Sequence, residues 1–222
     1  MNFKIEKRKI LYALFLPALF IVLLWLVLLV ENAYGNDWAH WGIFPGKMYG
    51  LRGIIISPLI HANAKHLFSN SVPLLVLMWC LFFFYKDLGY GVFPVLWVFS
   101  GIFTWIFGRD SWHIGASGLT YSLSFFLFFS GIIRRFIPLL AVSLVVVFLY
   151  GSSVWSMFPI TEIVDPSISW EGHLAGAISG LLCAIIFRNR GPQKPEPAEE
   201  EDEPENEKDE EDEEVGVICA PK

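Results

Sequence analysis

Residues 113–129 read HIGASGLTYSLSFFLFF, in which a Gly-Ala-Ser-Gly segment leads directly into a run of phenylalanine and leucine. A run as apolar as this is typical of a helix that lies in lipid or in a protein core. Glycine and serine more often mark turns, so their place at the start of the run is unusual. The stretch predicts a helix that begins below a membrane surface, with Ser117 at its start.

The composition of the whole chain indicates a membrane protein. Of its 222 residues, 55% are hydrophobic and 16% are aromatic, and the mean hydropathy is +0.52, far more apolar than an ordinary soluble domain. Six apolar segments are long enough, or nearly so, to cross a bilayer core of about 30 Å as helices. They are residues 10–30, 67–85, 92–107, 119–133, 136–155 and 168–187. We therefore expect an all-α membrane domain of six transmembrane helices over residues 1–190.

The positively charged residues predict how this domain is oriented. With the N-terminus in the cytoplasm, nine Lys and Arg residues lie on the inner side and four on the outer side, in agreement with the positive-inside rule. The inner set is Lys4, Lys7, Arg8, Lys9, Lys86, Arg134, Arg135, Arg188 and Arg190, and the outer set is Lys47, Arg52, Lys65 and Arg109. We expect a multi-pass protein of the cell membrane with both termini in the cytoplasm. The first segment could instead be a signal peptide, but its apolar run exceeds the roughly 7 to 15 residues of a cleaved signal, which favours an anchor.

Two regions differ from the apolar segments. Residues 31–66 form a long outer loop rich in aromatic residues and glycine, which we expect to pack on the membrane surface as short amphipathic pieces. Residues 195–214 contain fourteen Asp and Glu and a single Lys. Such a stretch has no apolar surface to bury, so residues 191–222 are predicted to be a disordered acidic cytoplasmic tail whose partner the sequence does not identify.

Several classes of function are not indicated. Cys80, Cys183 and Cys219 are scattered and form no metal-binding or disulfide spacing, so we interpret them as buried thiols. A phosphate-binding loop and a basic, aromatic surface are both absent from the sequence, so we expect no nucleotide and no nucleic-acid partner.

Polar groups inside membrane segments are costly and are therefore candidates for function. Three of the predicted spans carry polar residues or glycines at spacings that place them on one helical face. These residues are His66 and Asn70 in the second span, Ser117 and Tyr121 in the fourth, and His173, Gly176 and Gly180 in the sixth. His40, His61 and His113 fall in or near outer loops, and we interpret them as structural.

The glycines predict which helices meet. Gly176 and Gly180 form a GxxxG stripe, which allows a second helix to approach almost backbone to backbone. If the fourth span packs on this stripe, His173 meets Ser117. Glycines on either side of the serine, Gly115 and Gly118, fit the same close approach and leave backbone N–H groups free in the first turn.

This combination has the parts needed for acyl transfer: a hydroxyl nucleophile, an imidazole base and N–H donors for an oxyanion. His66 and Asn70 could add side-chain donors. Because the sequence places no carboxylate beside His173, we expect a Ser-His dyad with Tyr121 packed on the imidazole. Each residue taken alone has a simpler explanation in helix packing, and the joint occurrence favours catalysis.

Taken together, these motifs resemble the rhomboid family of intramembrane serine proteases. The resemblance covers residues 52–180. The GxSG motif of the family corresponds to Gly115-Ala116-Ser117-Gly118, with Tyr121 four residues after the serine. The HxxxN motif corresponds to His66 and Asn70, and the histidine that precedes GxxxG corresponds to His173, Gly176 and Gly180.

The resemblance implies that Ser117 is the nucleophile, that His173 is the general base and acid, and that His66, Asn70 and the Ser117 amide contact the oxyanion. It also implies hydrolysis of transmembrane protein substrates within the lipid bilayer, near its outer face, without metal or cofactor. The loop before the last span would cover the site, with Trp155, Met157 and Phe158 as its apolar plug.

Two positions depart from the family pattern. Leu51 stands where the family has a tryptophan before Arg52, and Tyr85 stands where it commonly has a glutamate. Both departures concern structural support, whereas the catalytic positions are intact. The alternative is a catalytically inactive relative that binds transmembrane helices, and a small transporter is disfavoured because no span is charged or broken near its middle.

Overall fold

The computed structural model describes residues 3–35, 37–135, 137–138, 140–141, 144, 155–158 and 169–192. Within these residues the chain folds into helices, and its only β-type contact is an isolated bridge between Ile43 and His113. The α-helices are α1 (Phe3–Tyr34), α2 (Gly53–Ile56), α3 (Ala64–Tyr85), α4 (Asp87–Phe107), α5 (Ser117–Arg134) and α6 (Trp170–Ile186). Short 3-10 helices cover Ala39–Trp41, Met48–Gly50 and Ser57–Leu59.

Three of these helices are long and apolar enough to cross a membrane by length and composition, namely Lys7–Tyr34 of α1, α3 and α4. α6 is apolar but has 17 residues. The chain is therefore an integral membrane protein. The fifth expected span, residues 136–155, and the acidic tail lie largely outside the described residues, so the count of six spans stays a prediction.

The helix boundaries differ from most of the expected spans, as in α1 (Phe3–Tyr34) and α3 (Ala64–Tyr85), and the starts of α4 and α5 show the physical reasons. α4 begins at Asp87, directly after Lys86, which takes a positive φ of 48°, whereas the apolar run suggested a start at residue 92. The polar and glycine residues of this first turn lower its hydropathy but continue the helix. α5 begins at Ser117 rather than at residue 119, so the serine belongs to the helix itself.

The apolar core lies between α3, α5 and their neighbours. Leu67, Leu74, Leu77 and Leu81 recur along one face of α3 and are fully buried, at the spacing of a helix that packs through one side. α1 is apolar on all sides. Only a narrow stripe of its side chains, which includes Leu24, is buried against this core. Most of its other large side chains are exposed, as expected of a surface that faces lipid.

The segment between α1 and α3 is folded onto the C-terminal end of α4; we call this end of the bundle outer and the opposite end inner, after the expected orientation. The Ile43 amide donates to the His113 carbonyl, and the Gly46 amide donates to the carbonyl of Trp105 in α4. The Trp105 indole donates in turn to the Lys47 carbonyl. The expected short pieces are thus present as short helices tied to α4 and to the loop that precedes α5.

Arg52 keeps a tryptophan partner despite Leu51. Its guanidinium lies over the ring of Trp41, 4.3 Å from the ring centre, and donates to the His40 carbonyl at 2.9 Å. A cation over an indole face is a favourable contact. The residue at position 51 is therefore not needed for this contact, because the aromatic ring comes from earlier in the chain.

Tyr85 belongs to a buried polar cluster at the inner end of the bundle. Its hydroxyl accepts from Arg134 of α5 at 2.8 Å and is hydrogen-bonded to Ser130. Arg134 also donates to the carbonyls of Phe187 and Arg190, which follow the last turn of α6. A cation at the C-terminal end of a helix satisfies carbonyls that lack intrahelical partners. This cluster joins α3, α5 and α6.

Candidate active site

The site begins at the turn that leads into α5. Gly115 has φ +102°, and a Cβ there would lie 2.7 Å from Cε1 of the His66 ring, so only glycine fits this position. The Gly115 amide donates to the Ser57 carbonyl at 2.9 Å, and the Ala116 amide donates to His61 Nε2 at 3.3 Å. Because the Gly115 amide already donates to Ser57, Gly115 is not a free hydrogen-bond donor. Its role is to leave space for the His66 ring.

Ser117 is the first residue of α5 and is half-buried. The N–H groups of the first helical turn have no partner within the helix. The first helical hydrogen bond of α5 runs from the Thr120 amide to the Ala116 carbonyl. The amides of Ser117 and Gly118 therefore remain at the positive end of the helix dipole, beside the serine hydroxyl.

α5 and α6 approach each other through glycines. A Cβ at Gly176 would overlap the Gly118 carbonyl oxygen, and a Cβ at Gly180 would overlap the Ser122 carbonyl oxygen. A Cβ at Gly118 would lie 3.1 Å from the carbonyl oxygen of Gly172. This contact brings the turn of α5 that holds Ser117 against the turn of α6 that precedes Gly176.

His173 lies in that turn of α6 and is 7% exposed. Its ring is stacked on Tyr121, with the ring centres 4.4 Å apart and the planes 19° apart. Nδ1 lies 2.9 Å from the Ser156 hydroxyl and 3.0 Å from the Ser156 carbonyl oxygen. Among the described residues, no hydrogen bond joins the ring directly to Ser117. Catalytic hydrogen bonds are often long without substrate and tighten in the complex.

His66 and Asn70 lie at the start of α3. The Asn63 side chain caps this helix by accepting from the His66 amide at 2.9 Å, which fixes the position of the histidine. The His66 ring lies against Gly115. Asn70 is buried, and its side-chain amide donates to the His66 carbonyl at 3.1 Å, which leaves the second hydrogen of that NH₂ group for another acceptor.

His61 has a defined role in shaping the loop. Its Nε2 accepts from the Ala116 amide, so Nε2 is unprotonated and His61 is neutral. Burial and, to a smaller extent, the neighbouring His66, with ring centres 5.1 Å apart, lower the pKa of His61 to about 4. His61 thereby holds the backbone immediately before Ser117.

A second polar group lies at the outer end of α6. Glu171 is buried and pairs with Arg109, Nε to Oε1 at 3.5 Å. His113 is hydrogen-bonded to the Ser169 hydroxyl, which also accepts from the Gly172 amide and caps α6. Burial lowers the pKa of His113. Because the Glu171 carboxylate pairs with Arg109, it does not orient the imidazole of His173.

Of the three residues proposed for the plug, Met157 alone is buried, against Tyr121 and Ala177. Trp155 is 53% exposed and Phe158 is 45% exposed. Ser156, which directly precedes Met157, also belongs to the site, and the sequence did not predict it. No periodicity marks it, because its contact with His173 depends on where the loop folds. The described residues contain no group of three or more His, Cys, Asp or Glu side chains that could hold a metal ion.

Comparison with known proteins identifies the family of this chain. The model of the Rhomboid domain family matches residues 45–190, a range that includes all the residues of the site. An uncharacterised protein of Mycobacterium bovis and one of Mycobacterium tuberculosis are each 35% identical over 174 residues, which cover 75% of this chain and 72% of theirs. A relative from Mycobacterium leprae is 34% identical over 75% of this chain and 68% of its own. The chain therefore belongs to the rhomboid family.

Proposed function

We infer that the protein is an intramembrane serine endopeptidase, which hydrolyses peptide bonds in or near the transmembrane segments of other membrane proteins. The observation that carries this inference is the glycine contact between α5 and α6, which sets the turn of Ser117 against the turn of His173. Glycine contacts also occur where helices only pack. Here the contact faces a serine at a helix N-terminus and a buried, oriented imidazole.

In the proposed reaction, the Ser117 oxygen attacks the carbonyl carbon of the scissile peptide bond while His173 takes the hydroxyl proton. The tetrahedral intermediate then collapses. The C–N bond breaks, the proton passes from His173 to the leaving nitrogen, and an acyl ester remains on Ser117. Water attacks the ester and gives a proton to His173. The bond between the acyl carbon and the Ser117 oxygen then breaks, this oxygen takes the proton back from His173, and the acid product leaves.

Four donors support the developing oxyanion in this proposal. The amides of Ser117 and Gly118 are available because they lie in the first turn of α5, where N–H groups have no partner within the helix. The His66 ring lies against the adjoining Gly115, and Asn70 retains one amide hydrogen. Removing one such donor in a site shielded from water typically costs about 2.7–4 kcal/mol of transition-state stabilisation.

The proposed setting follows from the family and from the charge distribution. We infer six spans, both termini in the cytoplasm and a site toward the outer face, because Ser117 follows the outer loop 108–116 in that orientation. Substrates are then single transmembrane helices that enter from lipid. Residues that destabilise the helix near the cut favour hydrolysis, because an intact helix keeps its carbonyls hydrogen-bonded.

Cleavage of a model single-span substrate in proteoliposomes tests this function. We expect the wild type to cleave it and Ser117→Ala to be inactive with unchanged thermal unfolding, since only one hydroxyl is removed. His173→Ala is expected to behave in the same way. Activity retained in either purified variant would overturn the dyad. Cleavage by none of the folded proteins, together with capture of the intact substrate, would instead support the inactive, helix-binding relative.

A further inference from the structure

Residues 155–158 form a short segment that contacts the α5–α6 pair beside His173. Met157 is 6% exposed and packs against Tyr121 and Ala177, which anchors the segment to both helices. Ser156 is 7% exposed. The segment does not belong to either helix, and it places a buried serine beside Nδ1 of the His173 imidazole.

The contact of Ser156 with His173 determines the tautomer of the ring. The carbonyl oxygen of Ser156 lies 3.0 Å from Nδ1, and a carbonyl oxygen can only accept a hydrogen bond. Nδ1 must therefore carry the hydrogen, and Nε2 carries the lone pair. Nε2 is the nitrogen that a general base needs, so the backbone of Ser156 selects the reactive form.

The hydroxyl of Ser156 adds an orienting link. It lies 2.9 Å from Nδ1 and 2.9 Å from the Tyr121 hydroxyl. The stacked Tyr121 ring fixes the plane of the imidazole, and the two oxygens of Ser156 fix its rotation within that plane. Tyr121, Ser156 and His173 are all buried, so the link is shielded from competing water.

We propose that Ser156 is a positioning residue for the His173 base, which takes the place that a carboxylate occupies in a Ser-His-Asp triad. This inference rests on the proposed protease function. Ser156 does not touch the substrate in this role. It stabilises one tautomer and one orientation of the ring, and it disperses part of the positive charge that His173 acquires when it takes the Ser117 proton.

The test compares kcat and KM for a single-span substrate in proteoliposomes. Ser156→Ala removes the hydroxyl and keeps the carbonyl, so we expect kcat to fall about 10-fold with KM unchanged. Ser156→Thr retains a hydroxyl and should recover activity to within about threefold of the wild type. Ser124→Ala is the matched control, because Ser124 is a buried serine of α5 whose hydroxyl has no partner among the described residues; its kcat should not change.

Tyr121→Phe supplies a second route that does not alter the segment. It removes only the hydroxyl that meets Ser156 and keeps the stacked ring, so we expect about a threefold loss of kcat. Combined with Ser156→Ala, it should cause little further loss, because both changes break one chain of hydrogen bonds.

The outcomes separate this inference from the function on which it rests. An inactive wild type would contradict the protease function itself. An active wild type with Ser156→Ala at the wild-type kcat would overturn the positioning role of the Ser156 hydroxyl and leave the protease function standing. Fully additive losses in Tyr121→Phe and Ser156→Ala would overturn it as well, as would a Ser156→Thr variant as slow as Ser156→Ala.

Discussion

The two ends of the α5–α6 pair are held together in different ways. At the outer end, glycines let the backbones touch, and the rings of Tyr121 and His173 stack on each other. At the inner end, Arg134 of α5 reaches across to the carbonyls that follow α6 and to Tyr85 of α3. The outer contact leaves space for a reaction between the helices, whereas the inner contact satisfies the carbonyls that follow the last turn of α6. Changes at the outer end should therefore act mainly on catalysis, and changes at the inner end mainly on stability.

The largest effect is expected from Gly176→Ala. The new Cβ would overlap the Gly118 carbonyl oxygen, which is backbone and has little freedom to move. We expect the variant to lose about 3 kcal/mol of unfolding free energy and almost all activity, since the helices must separate. Thermal unfolding in detergent and substrate cleavage measure the two losses. Gly91→Ala is the control, because a Cβ at Gly91 in α4 meets nothing within 4 Å; a similar loss there would contradict the close-approach explanation.

Arg134→Met tests the inner end. It leaves the Tyr85 hydroxyl and the carbonyls of Phe187 and Arg190 without their charged donor, so we expect a loss of about 2 kcal/mol in stability. The kcat of the folded fraction should remain within about threefold of the wild type. The neighbouring Arg135 is exposed, and Arg135→Met should leave thermal unfolding unchanged. A large fall in kcat without a loss of stability in Arg134→Met would mean that the two ends are not separate.

Asn70→Ala sharpens the account of the outer end. Its side-chain amide is partly engaged with the His66 carbonyl, and other oxyanion donors remain, so we expect a partial loss of kcat of about 10-fold. Stability should change little. Steady-state cleavage of the single-span substrate measures the effect. If a well-folded Asn70→Ala were as inactive as Ser117→Ala, the secondary role given to Asn70 would be wrong.

The smallest effect concerns pH. Burial lowers the pKa of His61 to about 4, below its ordinary value near 6.5. The unfolded chain therefore binds more protons between these values, and the contribution of His61 to stability is lost as pH falls from about 6.5 to about 4. His61→Gln keeps an acceptor for the Ala116 amide but does not titrate, so its melting temperature should fall less than that of the wild type over this range. An equal pH dependence of the melting temperature in His61→Gln and in the wild type would contradict this role of His61.

The sequence predicted the parts of the site that depend on helical spacing. Ser117 and Tyr121 are four residues apart and therefore share one face of α5, and His173 shares one face of α6 with the glycine stripe. These two faces were sufficient to predict that α5 and α6 pack against each other. The buried thiols Cys80 and Cys183 were likewise evident from their apolar surroundings. These features are local, and periodicity reports them directly.

The features that the sequence did not reveal depend on segments far apart in the chain. Ser156 meets His173 only because its loop folds back over α5 and α6. Arg134 was interpreted as one of the inner positive charges, but it is buried and holds the ends of two other segments. Trp41 replaces the tryptophan expected beside Arg52 because the outer segment turns back on itself. Such contacts follow from tertiary packing, which no spacing rule encodes.

The most direct test of the central claim is covalent labelling of the purified protein with an alkyl fluorophosphonate, with the labelled residue located by mass spectrometry. The reagent reacts with a serine only where a base activates the hydroxyl. The account predicts labelling of Ser117 in the wild type and loss of that labelling in His173→Ala. Labelling of another serine, or equal labelling of Ser117 in His173→Ala, would contradict it.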